Sequence, residues 1–174
     1  PAFEVGKYAF QLADGVDLLE VDGISYNLIL TLASEVGFDL KKDFPTAKHF
    51  TSWLGLSPNR RITGGKVLSS KTQKNKNRLA RAFRHCANTV GRQKDTALSD
   101  FFRRMAYKKG RRVAISATAR KLAVITYIML TRKENYQPQG VEDYREKVRV
   151  KKVKSIQRTM KQYGINPDEI NPAA

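Results

Sequence analysis

The chain has 174 residues, 41% of them hydrophobic, and a formal net charge of +17 at pH 7. This length and apolar content are enough for one packed domain with a small appendage, so the core needs neither disulfides nor metals. Such a strongly basic chain favours polyanionic partners and repels copies of itself, which makes nucleic acid the first expected partner.

The charge is unevenly distributed along the chain. Residues 1–43 hold 8 acidic and 3 basic residues, a net charge of −5. Residues 44–133 hold 22 basic and 2 acidic residues, a net charge of +20, and residues 134–174 hold 8 basic and 6 acidic residues, a net charge of +2. A nucleic-acid surface is therefore predicted in the middle of the chain.

Several kinds of site and location are disfavoured by the sequence. Cys86 is the only cysteine, so an internal disulfide and a cysteine-based metal site are excluded, and His49 and His85 do not form a ligand set. No signal peptide opens the chain and no apolar run approaches the ~20 residues of a membrane span, so we expect an intracellular location without a membrane partner. The start at Pro1 suggests a processed or excised piece.

Helical periodicity dominates from the N-terminus. Ser25 is positioned to cap a helix that stops near Gly37, and Thr46 to cap a short helix that ends at Gly55. We expect Pro58 and the following glycines to form a loop.

The next helix is predicted from about Asn75 to Gly91. Its apolar residues recur at i, i+3, i+4, i+7, i+8 and i+11, which predicts one buried stripe; they are Leu79, Ala82, Phe83, Cys86, Ala87 and Val90. Arg78, Arg81 and His85 lie off this stripe.

The remaining segments complete an all-α prediction. A further helix carrying Leu98, Phe101, Phe102 and Met105 ends near Gly110, and residues 113–131 are apolar on nearly all sides, as expected for a central helix. The predicted fold is a compact helical bundle over residues 1–135, followed by a basic helical tail over residues 136–174. This tail either protrudes or packs back on the bundle.

Residues 18–37, LLEVDGISYNLILTLASEVG, have the pattern of a helix-hairpin-helix with Gly23 in its turn. Turn amides and a helix N-terminus can bind a DNA phosphate. However, Ser25 stands where a second glycine is usual, and the segment is acidic, which opposes an anion. Phosphate binding and a purely structural turn both remain open.

Residues 60–84, RRITGGKVLSSKTQKNKNRLARAFR, contain nine Lys or Arg and no Asp or Glu. The Gly-Gly-Lys sequence lacks the spacing of a nucleotide-binding P-loop, so we expect the glycines to allow a bend and close approach to a phosphodiester. The predicted nucleic-acid-binding residues are Arg60, Arg61, Gly64, Gly65, Lys66, Lys71, Lys74, Lys76, Arg78 and Arg81.

A hydroxyl group beside this segment could act as a nucleophile, because nearby cations stabilise charge that develops during phosphoryl transfer. The residues alone show no general base, and they favour Thr63 as a turn residue that bonds its local backbone. For base stacking, Tyr107 and Tyr136 are the candidates, whereas Trp53, Phe83, Phe101 and Phe102 are expected in the core.

The order of LLEVDGIS, FPTAKHFTSWLGLSP, RITGGK, KNRLARAFRHCANTV and ARKLAVITYIML resembles the C-terminal domain of insertion-sequence transposases that carry an N-terminal DEDD nuclease-like domain and use a bridge RNA. The resemblance covers most of residues 15–131. It implies that the hydroxyl residue before the glycine, a serine in the family and Thr63 here, is the nucleophile that bonds covalently to DNA. Ser69 and Ser70 are the alternates.

The same resemblance implies Mg²⁺ bound by the acidic domain, which this chain lacks, and no cofactor within the chain itself. It also implies DNA and guide RNA as partners, a homo-oligomer in the full-length protein, and a bacterial cytoplasmic location with nucleoid association on DNA. We expect the isolated chain to bind nucleic acid without recombining it. The alternative is a non-catalytic RNA- or DNA-binding helical module.

Overall fold

The computed structural model describes residues 4–59, 61–69, 71–72 and 76–165, without the side chains of Val5 and Arg61. The chain divides into two compact units, Pro1–Pro138 and Gln139–Ala174. The described elements in order are α1 (Val5–Leu12), a 3-10 turn (Leu18–Glu20), α2 (Tyr26–Glu35), α3 (Leu40–Asp43), α4 (Ala47–Trp53), β1 (Arg61–Thr63), β2 (Lys66–Ser69), α5 (Arg78–Val90), α6 (Ala97–Lys109), α7 (Arg111–Arg132) and α8 (Val141–Tyr163).

The first unit is a helical bundle built around α7, as the sequence predicted. Helix α7 packs against α4, α5 and α6, and α2 also packs against α5. The apolar stripe of α5 is buried along its whole length, with Leu79, Phe83 and Val90 completely shielded from solvent. A helix that is buried on one face needs apolar residues only at the spacing i, i+3, i+4 and i+7. The periodicity within α5 was therefore sufficient to predict that this face is buried.

Helix α7 spans 22 residues and includes the whole apolar segment, residues 113–131, that the sequence predicted as a central helix. An 18-residue window within its 22 residues has a mean hydropathy of 1.5, enough to cross a membrane by length and composition alone, and half of that window is buried in the bundle. The expectation that no apolar run approaches this length was therefore wrong. Helix α7 contacts α3, α4, α5 and α6, and the core helix of a bundle can have the same length and composition as a membrane span.

The predicted helix caps behave differently from one another. Thr46 caps α4, because its hydroxyl oxygen accepts a hydrogen bond from the backbone N–H of His49. Ser25 precedes α2 but makes no side-chain cap, and its hydroxyl lies 3.9 Å from the Cys86 thiol of α5. Burial, opposed by hydrogen bonding with Ser25, raises the pKa of Cys86. Ser25 therefore connects α2 to α5 through Cys86, and its side chain does not cap the N-terminus of α2.

Gly23 occupies the turn between the 3-10 segment and α2 in a backbone conformation that favours glycine, with φ of +82°. A Cβ atom built there would lie 2.4 Å from Val90 Cγ2 and 3.0 Å from the Cys86 carbonyl oxygen. The turn is thus pressed against α5, and no larger residue fits without movement. The first arm of the predicted helix-hairpin-helix is a single 3-10 turn. Of the two interpretations of the motif, the contact of Gly23 with α5 supports a structural turn and not a phosphate-binding site.

An aromatic cluster fills the core beside α4. Phe50 is fully buried, and its ring centroid lies 5.1 Å from Phe44 and 6.1 Å from Tyr127. The Tyr127 hydroxyl donates a 2.7 Å hydrogen bond to the Phe44 carbonyl, so the only polar atom of that ring is satisfied. Trp53 contacts both phenylalanines but remains 40% exposed, so the prediction that it lies within the core was only partly right.

The second unit contains α8, whose ends are well defined by local interactions. Glu142 and Asp143 lie in its first turn, where carboxylates suit the helix dipole. At the other end Gly164 has φ of +67°, its N–H donates to the Lys161 carbonyl, and the Ile165 N–H donates to the Met160 carbonyl. This pair of bonds is a Schellman motif, which stops the helix after Tyr163.

Candidate nucleic-acid interface

The segment predicted as a basic loop is a β-hairpin. Strands β1 and β2 are antiparallel, with Ile62 opposite Val67 and Thr63 opposite Lys66. The base of the hairpin is closed by a bridge between Pro58 and Thr72 and by a 3.1 Å bond from the Asn59 N–H to the Lys71 carbonyl. The expectation of a loop was therefore wrong, because strands of three and four residues are too short to show a clear alternation.

The Gly64–Gly65 pair forms the tip of this hairpin. Their φ angles are +55° and +73°, and a two-residue type I′ turn requires positive φ at both positions. No described atom lies within 4 Å of a Cβ built on either glycine. The glycines are thus required by the turn itself, and the close approach of a ligand to them remains a prediction.

Replacing Gly64 by valine is expected to unfold the hairpin without destabilising the bundle. An L-residue in this conformation costs about 1–2 kcal/mol, and an isolated two-stranded hairpin is only marginally stable. Amide hydrogen exchange should show loss of protection in β1 and β2, with an unchanged thermal midpoint. Gly64→Asn is the matched control, since asparagine tolerates positive φ. Retained protection in the valine variant would contradict the turn assignment.

Both faces of the hairpin are exposed. Ile62, Val67 and Leu68 are 58%, 57% and 70% exposed, and Thr63, Lys66 and Lys71 are also exposed. Cross-strand partners project from the same face, so Lys66 flanks Thr63 at a Cβ separation of about 5 Å. The tip of the hairpin therefore presents a hydroxyl group and an ammonium group side by side to solvent.

The two described hydroxyl candidates differ in their local bonding. The Ser69 hydroxyl accepts a 3.3 Å hydrogen bond from the Lys71 N–H, so it participates in a local turn. Within the described part of the chain, the Thr63 hydroxyl makes no hydrogen bond. The backbone bonding expected of Thr63 from the sequence is thus found at Ser69. Ser70 lies outside the described residues.

The start of α5 adds cations next to the hairpin in sequence. Asn77 caps this helix, its side-chain oxygen accepting a 2.9 Å hydrogen bond from the Ala80 N–H. The first turn has no acidic residue, although carboxylates are favoured at helix N-termini. Lys76, Arg78 and Arg81 are exposed there, and the cations and the helix dipole together favour an anionic ligand.

Most of the predicted binding residues that the structure describes share this hairpin and helix start. Gly64, Gly65, Lys66, Lys71, Lys76, Arg78 and Arg81 are all exposed, and Arg61 is placed by its backbone in β1, opposite Ser69. Arg78 is partly neutralised, since its guanidinium lies 3.6 Å from the Glu35 carboxylate. Arg60 and Lys74 lie outside the described residues.

Other cations of the bundle have structural roles. The Arg103 guanidinium donates to the Gln93 carbonyl and lies 3.3 Å from the Asp100 carboxylate, and Arg111 donates a 2.6 Å hydrogen bond to Asn88. Such contacts fix the helix ends. Counting charges along the sequence could not separate these cations from those available to a ligand.

A second group of cations surrounds Phe101 and was not identified from the sequence. Lys121 Nζ lies 4.9 Å from the centroid of this ring, and Arg104 lies 5.8 Å from it. Burial, and then the nearby Arg104 charge, lower the pKa of Lys121. Phe101 is half-buried, whereas the neighbouring Phe102 is buried.

The two tyrosines proposed for base stacking differ sharply. Tyr107 on α6 is 93% exposed and remains a stacking candidate. Tyr136 packs against the core, and burial together with the Asp22 carboxylate raises its pKa. A half-buried ring offers little face to a base, so the structure argues against Tyr136 in this role.

The described residues do not fit a catalytic metal. Among them there is no group of three or more His, Cys, Asp or Glu side chains placed to hold an ion. The Mg²⁺ that the family resemblance implies would therefore need ligands other than these residues.

A helical bundle that presents an exposed basic hairpin and a cation-rich helix start has the features expected of a small nucleic-acid-binding domain. The family model described as Transposase IS116/IS110/IS902 family matches residues 17–103, which is half of the chain. The chain belongs to this family, and the match corresponds to the C-terminal domain of its transposases. No curated protein and no solved structure gave a match. Membership implies a role in DNA transposition and DNA as a partner.

Proposed function

We propose that this chain is the DNA-handling half of a transposase in which Thr63 is the strand-transfer nucleophile. The observation that carries the proposal is the position of Thr63 at the exposed tip of the hairpin, opposite Lys66 and free of a local hydrogen bond in the described part of the chain. A nucleophile must reach its target phosphorus, and a neighbouring cation stabilises the charge that builds up there.

In the proposed step the Thr63 oxygen forms a bond to a DNA phosphorus while a phosphorus–oxygen bond of the DNA backbone breaks. The released DNA oxygen takes up a proton and becomes a hydroxyl group. The proton of Thr63 passes to a base outside the described residues, because none of these bonds to the threonine hydroxyl. Lys66 and the exposed cations of the α5 start hold the flanking phosphates.

The remainder of the machinery is proposed from the family resemblance. An N-terminal acidic nuclease-like domain would bind Mg²⁺, and guide RNA and further copies of the full-length protein would complete the complex. The isolated chain would then bind DNA without recombining it. A bacterial cytoplasmic location, with nucleoid association on DNA, is part of the same proposal.

The test is to trap the covalent protein–DNA adduct with full-length transposase, its RNA and its DNA, and to map the modified residue by mass spectrometry. We expect the nucleotide on the peptide that contains Thr63. An adduct on Ser69 would move the nucleophile to the end of β2, and an adduct on Ser70 would assign the role to that residue instead. Salt-sensitive DNA binding without any adduct would favour the non-catalytic binding module.

A further inference from the structure

Helix α8 has two chemically distinct faces. Lys147, Lys151, Lys154, Arg158 and Lys161 recur at i, i+4, i+7, i+11 and i+14, so they share one face of the helix. Val153, Ile156, Met160 and Tyr163 recur on the opposite face. We name the five basic residues the cation row. All five are exposed, and the row extends about 21 Å along the helix axis.

The acidic residues of α8 do not neutralise the cation row. Its carboxylates are confined to the first two turns, and no Asp or Glu occurs between Lys147 and Tyr163. Two of them pair with cations on the other side of the helix, Arg145 with Glu142 at 3.7 Å and Arg149 with Glu146 at 3.4 Å. Asp143 and Glu146 line one groove with Lys147, Lys151 and Lys154, but among the described residues no carboxylate forms an ion pair with the cation row.

We propose that the cation row of α8 is a second DNA-binding element, which contacts the phosphate backbone of duplex DNA. About a dozen phosphates of a B-form duplex lie within a length of 21 Å along its axis, so one charged face can contact several of them at once. The major groove of B-DNA admits an α-helix, whereas that of A-form RNA is too narrow for side chains to enter. Charge complementarity and groove width together favour duplex DNA as the occupant.

This inference relies on DNA as the partner in the proposed function, but not on chemistry at Thr63. In this proposal the apolar face of α8 does not contact DNA. The cation row would contact phosphates and not base edges, which predicts weak dependence on base sequence and strong dependence on salt.

The test compares two triple variants of the 174-residue chain with equal net charge. Lys151, Lys154 and Arg158 are replaced by Gln in the first, and Arg145, Arg149 and Lys152 are replaced by Gln in the matched control. Binding to a duplex DNA and to a duplex RNA of the same sequence is measured over a salt series. Circular dichroism checks that both variants keep their helix content.

We expect the first variant to bind duplex DNA about tenfold or more weakly at moderate salt, with a salt slope reduced by up to about 2.7, since each lost phosphate contact removes about 0.9. The control should lose much less, because two of its three cations are already paired. Equal losses in both variants would attribute binding to net charge and overturn the proposal. So would unchanged DNA binding or a loss confined to RNA.

The outcomes separate this inference from the proposed function. If the wild-type chain binds DNA with a steep salt slope and the first variant does so equally well, only the role of α8 fails. If the wild-type chain shows no salt-sensitive DNA binding, the DNA-handling function itself fails.

Discussion

Thr63→Ala in the full-length transposase is expected to abolish the covalent adduct and to reduce strand transfer at least about a thousandfold, because no hydroxyl oxygen remains at the tip of the hairpin to attack the phosphorus. Binding of DNA should be nearly unchanged, since the substitution removes no charge. Adduct formation and strand transfer are measured on the same DNA, alongside equilibrium binding.

Two further variants test whether the effect depends on the hydroxyl group of Thr63. Thr63→Ser keeps the hydroxyl group and removes only the methyl group, so it should retain activity. Ser69→Ala removes a hydroxyl that already accepts a bond from the Lys71 N–H, and it should lower strand transfer only slightly. Persistent adduct in Thr63→Ala, or its complete loss in Ser69→Ala, would show that the nucleophile is a different residue.

Gly23→Ala is expected to lower the free energy of unfolding by about 2–4 kcal/mol. Part of this cost is the positive φ of the turn, about 1–2 kcal/mol for an L-residue, and the rest is overpacking against α5. Denaturant unfolding of the 174-residue chain measures the change.

Gly37→Ala provides the matched control for this substitution. Gly37 has φ of +73°, but no described atom lies within 4 Å of a Cβ built on it, so only the conformational part of the cost applies. The difference between the two variants therefore isolates packing. Adding Val90→Ala to Gly23→Ala should recover part of the loss by removing the methyl group at 2.4 Å, although the cavity it leaves also costs stability. Equal destabilisation by Gly23→Ala and Gly37→Ala would refute close packing of the turn.

The helical part of the fold could be predicted because it depends on local patterns. The stripe of α5 and the cap at Thr46 each lie within a few consecutive turns, and both are confirmed. Contacts between distant residues were not accessible in this way. Ser25 bonds toward Cys86, 61 residues away, and Tyr136 is buried near Asp22. The periodicity within a single segment does not indicate which distant residues will be in contact.

The hairpin was missed although its sequence contains a signal. Two short runs rich in β-branched or apolar residues, Arg61–Thr63 and Lys66–Ser69, are separated by a Gly-Gly pair, which is typical of a two-residue hairpin turn. The same residues carry a dense positive charge, which is equally typical of a solvated basic loop. The assignment of Thr63 as nucleophile came from family resemblance; it remains a prediction, to which the structure adds the exposure of Thr63 and its position opposite Lys66.

None of the described hairpin side chains is buried, and this has a consequence for how related transposases can diverge. Substitutions in the two strands carry little cost for the bundle, since its core is formed entirely by other elements. If the hairpin contacts DNA as proposed, its residues other than Thr63 and the two turn glycines can change while the scaffold stays constant. Such changes would not require compensating substitutions elsewhere in the protein.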